Sequence, residues 1–392
     1  MAIRRVQSAW FACGIAALLA GCGAGNTNPP GPDRAPFVAF STSYIGVPNV
    51  PVPVSPAPPG PYWSIDVGVV DQSTGIYYLA DKTNCGVDVF NAATNTYIST
   101  IGPSGGSPNF ASATASCASI GSPFSGNTGS SSSSGPNGLV LIGSTKLYAG
   151  DGNGSVKVID LASRKVTKTL PIPTAKKRTD EGSYDPDDGI VLIANDSETA
   201  PLLTFIDAKT DTVIGQTVRS DATGGMEASI YISAMHKFVQ AVPATKKNPT
   251  GEIDVIDPLT RAVSNVYPIG STCGPTGIAL GLGTELMIAC NDVGEMFMMD
   301  ISNGAILAKY DQAGGGDGVS YDARTNRFFV TNSNNTTNAV KSGPLAPETS
   351  VIDAGSRLYI EGIPSEAHAH SVATYNGKAF VPLPSHGVAV YQ

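Results

Sequence analysis

Charge is scarce in this chain: Asp, Glu, Lys and Arg together make up 14% of 392 residues, and their balance is -8. With a pI near 5.0, a phosphate-rich partner would be repelled, which argues against nucleic acid and leaves cations, sugars and neutral ligands open. Helical apolar periodicity is missing after the N-terminus, which excludes a helical bundle. There are only two tryptophans, Trp10 and Trp63, too few for the tryptophan-docked repeats of an electron-transfer quinoprotein. No Walker loop, no H-E-x-x-H and no strand-to-helix nucleophile elbow is present, so no familiar catalytic signature points to an enzyme.

What the chain has in abundance is glycine (44) and proline (29), the punctuation of short strands and turns. A strand motif recurs along it: "GVDVFN" closes at Asn91, "GSVKVID" at Asp160, "PLLTFID" at Asp207, "GEIDVID" at Asp257, "GEMFMMD" at Asp300 and "ETSVID" at Asp353. Each is preceded by a β-branched or aromatic strand such as "GIYYLAD", and ahead of that comes a small-residue strand such as "PTGIALGL". Each is followed by a polar turn and a further alternating strand such as "KVTKTL". The recurring aspartates are expected to cap those turns. Four antiparallel strands repeating at roughly 40 residues are the signature of a β-propeller blade, so the fold class is all-β.

The seventh copy, "HGVAVYQ", ends the chain without its outer strand. An unpaired edge there would expose backbone donors and acceptors. The alternating "PFVAFSTSYIGVP" of residues 36–48 is otherwise unassigned and is expected to supply the missing strand, giving a seven-bladed propeller over residues 36–392 closed by an N-terminal strand.

Residues 1–21 have a positive start (Arg4, Arg5), an apolar core too short for a typical span, and the ending Leu19, Ala20, Gly21 before Cys22. This tripartite pattern resembles a bacterial lipobox and implies lipidation at Cys22, with residues 22–35 as a flexible tether. Gly23 in place of Asp resembles the outer-membrane-sorted class, so the expected location is the cell envelope, facing the periplasm or the cell surface, with the membrane as a partner through the anchor. Export places the other cysteines in an oxidising compartment. Cys273 and Cys290 flank one expected hairpin, and Cys85 ends a strand before the insert that holds Cys117, so the favoured disulfides are Cys273 with Cys290 and Cys85 with Cys117.

The stretch "KLYAGDGNGSVKVIDLASRKVTKTLPI", with its strand pair and closing alternating strand, is similar to the YVTN-type β-propeller repeat, although "KFVQAV" and "LMIACN" depart from that motif. The resemblance covers nearly all of residues 36–392 and implies the fold, with relatives ranging from surface-tethered binding proteins to lactonases and lyases.

Insertions concentrate on one face of the expected ring: "ATKKNPT", "SNNTTNAVKSGPLAP" and the long segment after blade one. Such a bias marks a binding face. The Ser/Gly-rich run 125–135 within that segment reads either as part of the face or as a disordered tether. Aligning the inner strands places Asp66, Asn137, Glu181, Glu227, Thr276, Asp317 and His370 around the channel mouth, with Asp180 and His368 close by. Carboxylates converging there call for a raised pKa or a bound divalent ion, Ca²⁺ or, with an imidazole present, Zn²⁺ or Mn²⁺. Glu181, Glu227, Asp317 and His370 are the metal-ligand candidates, and Glu181, Glu227 and His370 the candidates for base and acid. The phrase "DEGSYDPDDG" faintly resembles the start of gluconolactonase-type propellers, in which an early glutamate holds metal. The expected function is a monomeric binding or scaffolding module for a small molecule, glycan or protein, with a metal-assisted lactonase, hydrolase or lyase as the alternative. His236 and His386 read as surface histidines, and Tyr62 and Trp63 as blade packing or a sugar-stacking platform.

Overall fold

The computed structural model describes residues 40–48, 63–104 and 116–392. The signal-like segment 1–21, Cys22, the tether and Tyr62 lie outside them. Seven four-stranded antiparallel sheets follow one another along the chain. Blade one runs from Ile65–Asp71 through Ile76–Asp81 and Gly86–Asn91 to Thr96–Ile101. Blades two to six repeat this plan over residues 139–171, 182–218, 229–268, 275–310 and 319–364. Among the described residues no helix is long and apolar enough to cross a membrane.

Burial explains the composition of each strand. The second strand of blade three, Ile190–Asn195, is buried at every position because blades cover it on both sides. The outer strand Thr212–Val218 is only half-buried and carries the polar residues. The recurring aspartates close the next turn as expected: Asp160 accepts from Ser163 N (2.7 Å), and Asp257 from Leu259 N (3.0 Å) and Thr260 N (2.8 Å). Those backbone donors, with Lys237, hold the Asp257 carboxyl down to about 2. The apolar residues gather into seven clusters, each spanning two neighbouring blades.

Blade seven is completed from the other end of the chain. Its strands Ala373–Tyr375, Lys378–Leu383 and Gly387–Tyr391 lack an outer member, and Thr42–Ile45 supplies it. The register runs from Thr42 opposite Tyr391 to Ile45 opposite Val388. Ser41 and Gln392 exchange backbone bonds of 3.0 and 3.1 Å just beyond it. In six blades the outer strand pairs through a bulge, for example between Phe205 and Ile206. The borrowed strand runs without one. Both expected disulfides are present, with Cα separations of 5.6 Å for Cys85–Cys117 and 4.7 Å for Cys273–Cys290.

Blade one contains a buried acid pair. Asp81 accepts from Trp63 Nε1 (2.6 Å) and is held by Asn84, while Asp88 accepts from Thr100 Oγ1 (2.5 Å). Both carboxyls are fully buried, and neither Asp88 Oδ2 nor the nearby buried Tyr77 hydroxyl has a hydrogen-bond partner among the described residues. Burial raises both carboxyls, and the charge on Asp81 raises Asp88 further.

Two outcomes are expected. Strand alternation makes Ser43 and Val390 a hydrogen-bonded pair, so Ser43→Pro should lower ring stability by about 1–3 kcal/mol, while Ser43→Ala should change it little. Thermal melts compare the two, and equal melting temperatures would refute the closing role. For the acid pair, a folded pKa raised above the unfolded value means stability present below the unfolded pKa and lost as pH rises through the folded one. Asp88→Asn keeps the hydrogen bonds without a titrating group, so its melting temperature should fall less steeply from acid to alkaline pH than wild type's.

Candidate functional site

Inner strands converge at the channel mouth because small residues let neighbouring backbones meet. A Cβ on Gly277 would lie 1.8 Å from Asp317 O, and one on Gly318 would lie 2.7 Å from His370 O. Gly318 N donates to His370 O at 2.8 Å. Glycine therefore sets how closely Asp317 and His370 approach the axis. Glu181 and Glu227 stand just ahead of the inner strands Gly182–Asp185 and Ser229–Ile232. Around them opens a cavity of about 470 Å³ whose wall includes Asp66, Glu181, Glu227, Asp317 and His370.

Glu181, Glu227 and Asp317 each offer an oxygen, and these oxygens lie within 4.8 Å of one another. His370 Nδ1 is 3.2 Å from Asp317 Oδ2. Burial raises the Glu181 and Glu227 carboxyls well above the ordinary value, with further repulsion from Asp180 and Asp317. Burial acts to lower the His370 imidazole, but the bond to Asp317 outweighs it and the net shift is upward. Asp66 and Asp180, which line the same cavity, are ion-paired. Lys82 Nζ meets Asp66 at 2.5 Å, and Arg178 bridges Asp180 (2.7 Å) and Asp196 (2.6 Å). Burial works to raise Asp66, yet Lys82, with His370 and Arg178, brings it below the usual carboxylate value. Asp180 rises to about 8, because burial outweighs the pull of Arg178. The mouth thus combines ion-paired carboxylates with a cluster of carboxylates in excess.

Of the residues expected at the mouth, Asp66, Asp180, Glu181, Glu227, Asp317, His368 and His370 line the cavity. Asn137 does not. It is fully buried, and its amide donates to Ser134 O (2.9 Å) and Thr179 O (3.3 Å). Thr276 lines a smaller neighbouring cavity of about 170 Å³ and donates to Gly316 O at 2.9 Å. Lys82 and Arg178 went unread, because they come from connections outside the inner-strand alignment, while the Ser/Gly run takes the first of its two readings, with Asn127, Ser130, Ser131 and Ser134 in the cavity wall. Trp63 touches the cavity but is 1% exposed, with its indole held by Asp81, and so presents no open stacking face. His236 is exposed on Asp187, and His386 pairs with Glu366. The chain's one G-x-S-x-G string starts at Gly102, and its Ser104 is exposed after the outer strand of blade one rather than in an elbow.

No protein-family model matches the chain, and no curated protein does. Solved structures share its architecture. The structure of U3-55K aligns with a TM-score of 0.61 at 11% identity, over 85% of this chain and 96% of that one. A chain of the mitotic checkpoint complex aligns at 0.59 and 12%, over 96% and 99%. The RRP9 WD40 repeats align at 0.60 and 10%, over 85% and 94%. The chain is a seven-bladed β-propeller with WD40-like structural neighbours.

Proposed function

We propose that this protein is a YVTN-type envelope propeller, anchored through a lipid on Cys22, that binds a small polar ligand at its channel mouth through a divalent cation. The observation that carries this reading is the convergence of Glu181, Glu227 and Asp317. Neither glutamate side chain makes a hydrogen bond or ion pair to a described residue, so among those residues no cation at contact distance offsets their mutual repulsion. An ion about 2.4 Å from each ligand requires donor oxygens within about 5 Å of one another, which this cluster satisfies. Three hard oxygen donors fit Ca²⁺, and the adjacent His370 extends the range to Mn²⁺ or Zn²⁺. His370 beside Asp317 favours one second reading, metal-assisted hydrolysis or lyase chemistry, in which the imidazole transfers a proton and the ion polarises the substrate.

Calcium or manganese should raise the melting temperature of the wild-type protein, by about 2.7 kcal/mol of linkage at a hundredfold excess over Kd. The shift should grow as pH rises, because the carboxyls must lose their protons to bind the ion. Glu181→Gln with Glu227→Gln should abolish the shift and leave the metal-free protein as stable as wild type or more so. A full shift in the double variant would reject this cation site. For the anchor, Cys22→Ser should release the protein from the membrane fraction, and membrane retention by this variant would refute lipidation there.

A further inference from the structure

The Ser/Gly run between blades one and two is folded. Gly126 and Gly135 exchange two backbone hydrogen bonds, 2.7 and 3.1 Å long. Between them Ser134 Oγ donates to Ser130 O (2.8 Å) and accepts from Thr128 N (3.0 Å). The tip of this loop, including Asn127, Ser130 and Ser131, forms a wall of the mouth cavity. Three attachments hold it. Asn127 N donates to Lys82 O (3.0 Å), Arg178 N donates to Ser132 O (2.9 Å), and Ser125 N donates to Asp151 Oδ1 (2.9 Å). Two of these lead directly to the residues that carry the mouth's cations.

The Cys85–Cys117 disulfide lies behind this wall. Cys85 sits in the same strand connection as Lys82, and Cys117 opens a short 3-10 helix, Cys117–Ile120. The bond packs against Gly126, where a Cβ would lie 2.0 Å from Cys117 Sγ and 3.1 Å from Cys85 Sγ. Ser122 Oγ donates to Cys85 O (2.5 Å), which adds a second tie at the same place. This disulfide joins a strand connection to an inserted loop. Cys273 and Cys290, by contrast, belong to the apolar cluster between blades four and five.

We propose that Cys85 and Cys117 are positioning residues for the mouth: their disulfide holds the serine-rich wall against Lys82 and Arg178, and its reduction loosens the wall and opens the cavity. The reductant is a dithiol. It passes two electrons and two protons to the cystine, giving two cysteine thiols and an oxidised, disulfide-containing reagent. The inference rests on the proposed function in that the mouth is the binding site, but its test does not require a ligand.

The test uses the full chain with Trp10→Phe, which leaves Trp63 as the only tryptophan. Trp63 lines the same cavity, and its Asp81 partner ends the strand just before Lys82. Acrylamide quenching should rise severalfold in Cys85→Ser/Cys117→Ser relative to the oxidised parent, with protease cleavage appearing in residues 116–135 and the ring's circular dichroism retained. Gly126→Ala, which keeps both cysteines but crowds the bond, should raise quenching too. Cys273→Ser/Cys290→Ser should not. The idea is overturned by equal quenching and protease resistance with and without the bond, by an effect confined to the Cys273/Cys290 variant, or by unfolding of the ring together with the wall. Calcium-dependent melting on the same samples separates the two readings: Glu181→Gln/Glu227→Gln would lose the calcium shift and keep the quenching contrast.

Discussion

Apolar contact between blades is the interaction on which the rest depends. No blade contains its own core. Tyr77 and Phe90 of blade one pack with Phe380 of blade seven, and Val140 and Tyr148 of blade two with Val191 and Ile206 of blade three. Each sheet is covered only because its neighbours are in place, so the described residues form a circular chain of mutual supports rather than seven independent units. A local weakness at one interface is therefore felt by two blades at once.

The same geometry creates the electrostatic problem at the axis. Inner strands that approach closely enough to share glycine contacts also bring their leading side chains together. Lys82 and Arg178 supply counter-charge to Asp66, Asp180 and Asp196. Glu181, Glu227 and Asp317 converge, with His370 Nδ1 beside Asp317. Crowding carboxylates together is costly, and a fold that only needed to pack would place apolar or amide groups there, as it does with Asn137.

Much of this was legible in the sequence. Strand alternation and the repeated aspartate turn are local, period-2 properties, so they reveal blades without any long-range information, and the missing outer strand follows from counting. The mouth residues Asp66, Glu181, Glu227, Asp317 and His370 could be read because they hold the same position in each repeat. Asn137 and Thr276 share that position but turn to backbone carbonyls, a rotamer choice that spacing does not encode. Lys82 and Arg178 escaped for a different reason, and the serine-rich run was left between two readings for the same one: they sit in connections that do not repeat, where placement depends on a disulfide and on contacts between blades.

The pairing of Thr42–Ile45 with Gly387–Tyr391 also has a kinetic side. Ser41 and Gln392 are 351 residues apart in sequence, so their contact is among the least local a chain of this length can make. Closing such a loop carries an entropic cost that must be met before the contacts it creates can repay it. As the chain folds, the first six blades can stack on one another, while the early strand waits with its backbone groups unpaired until Gly387–Tyr391 is in place. The ring's latch is then the final step of assembly, and the waiting edge is the interval in which pairing with another chain competes with closure.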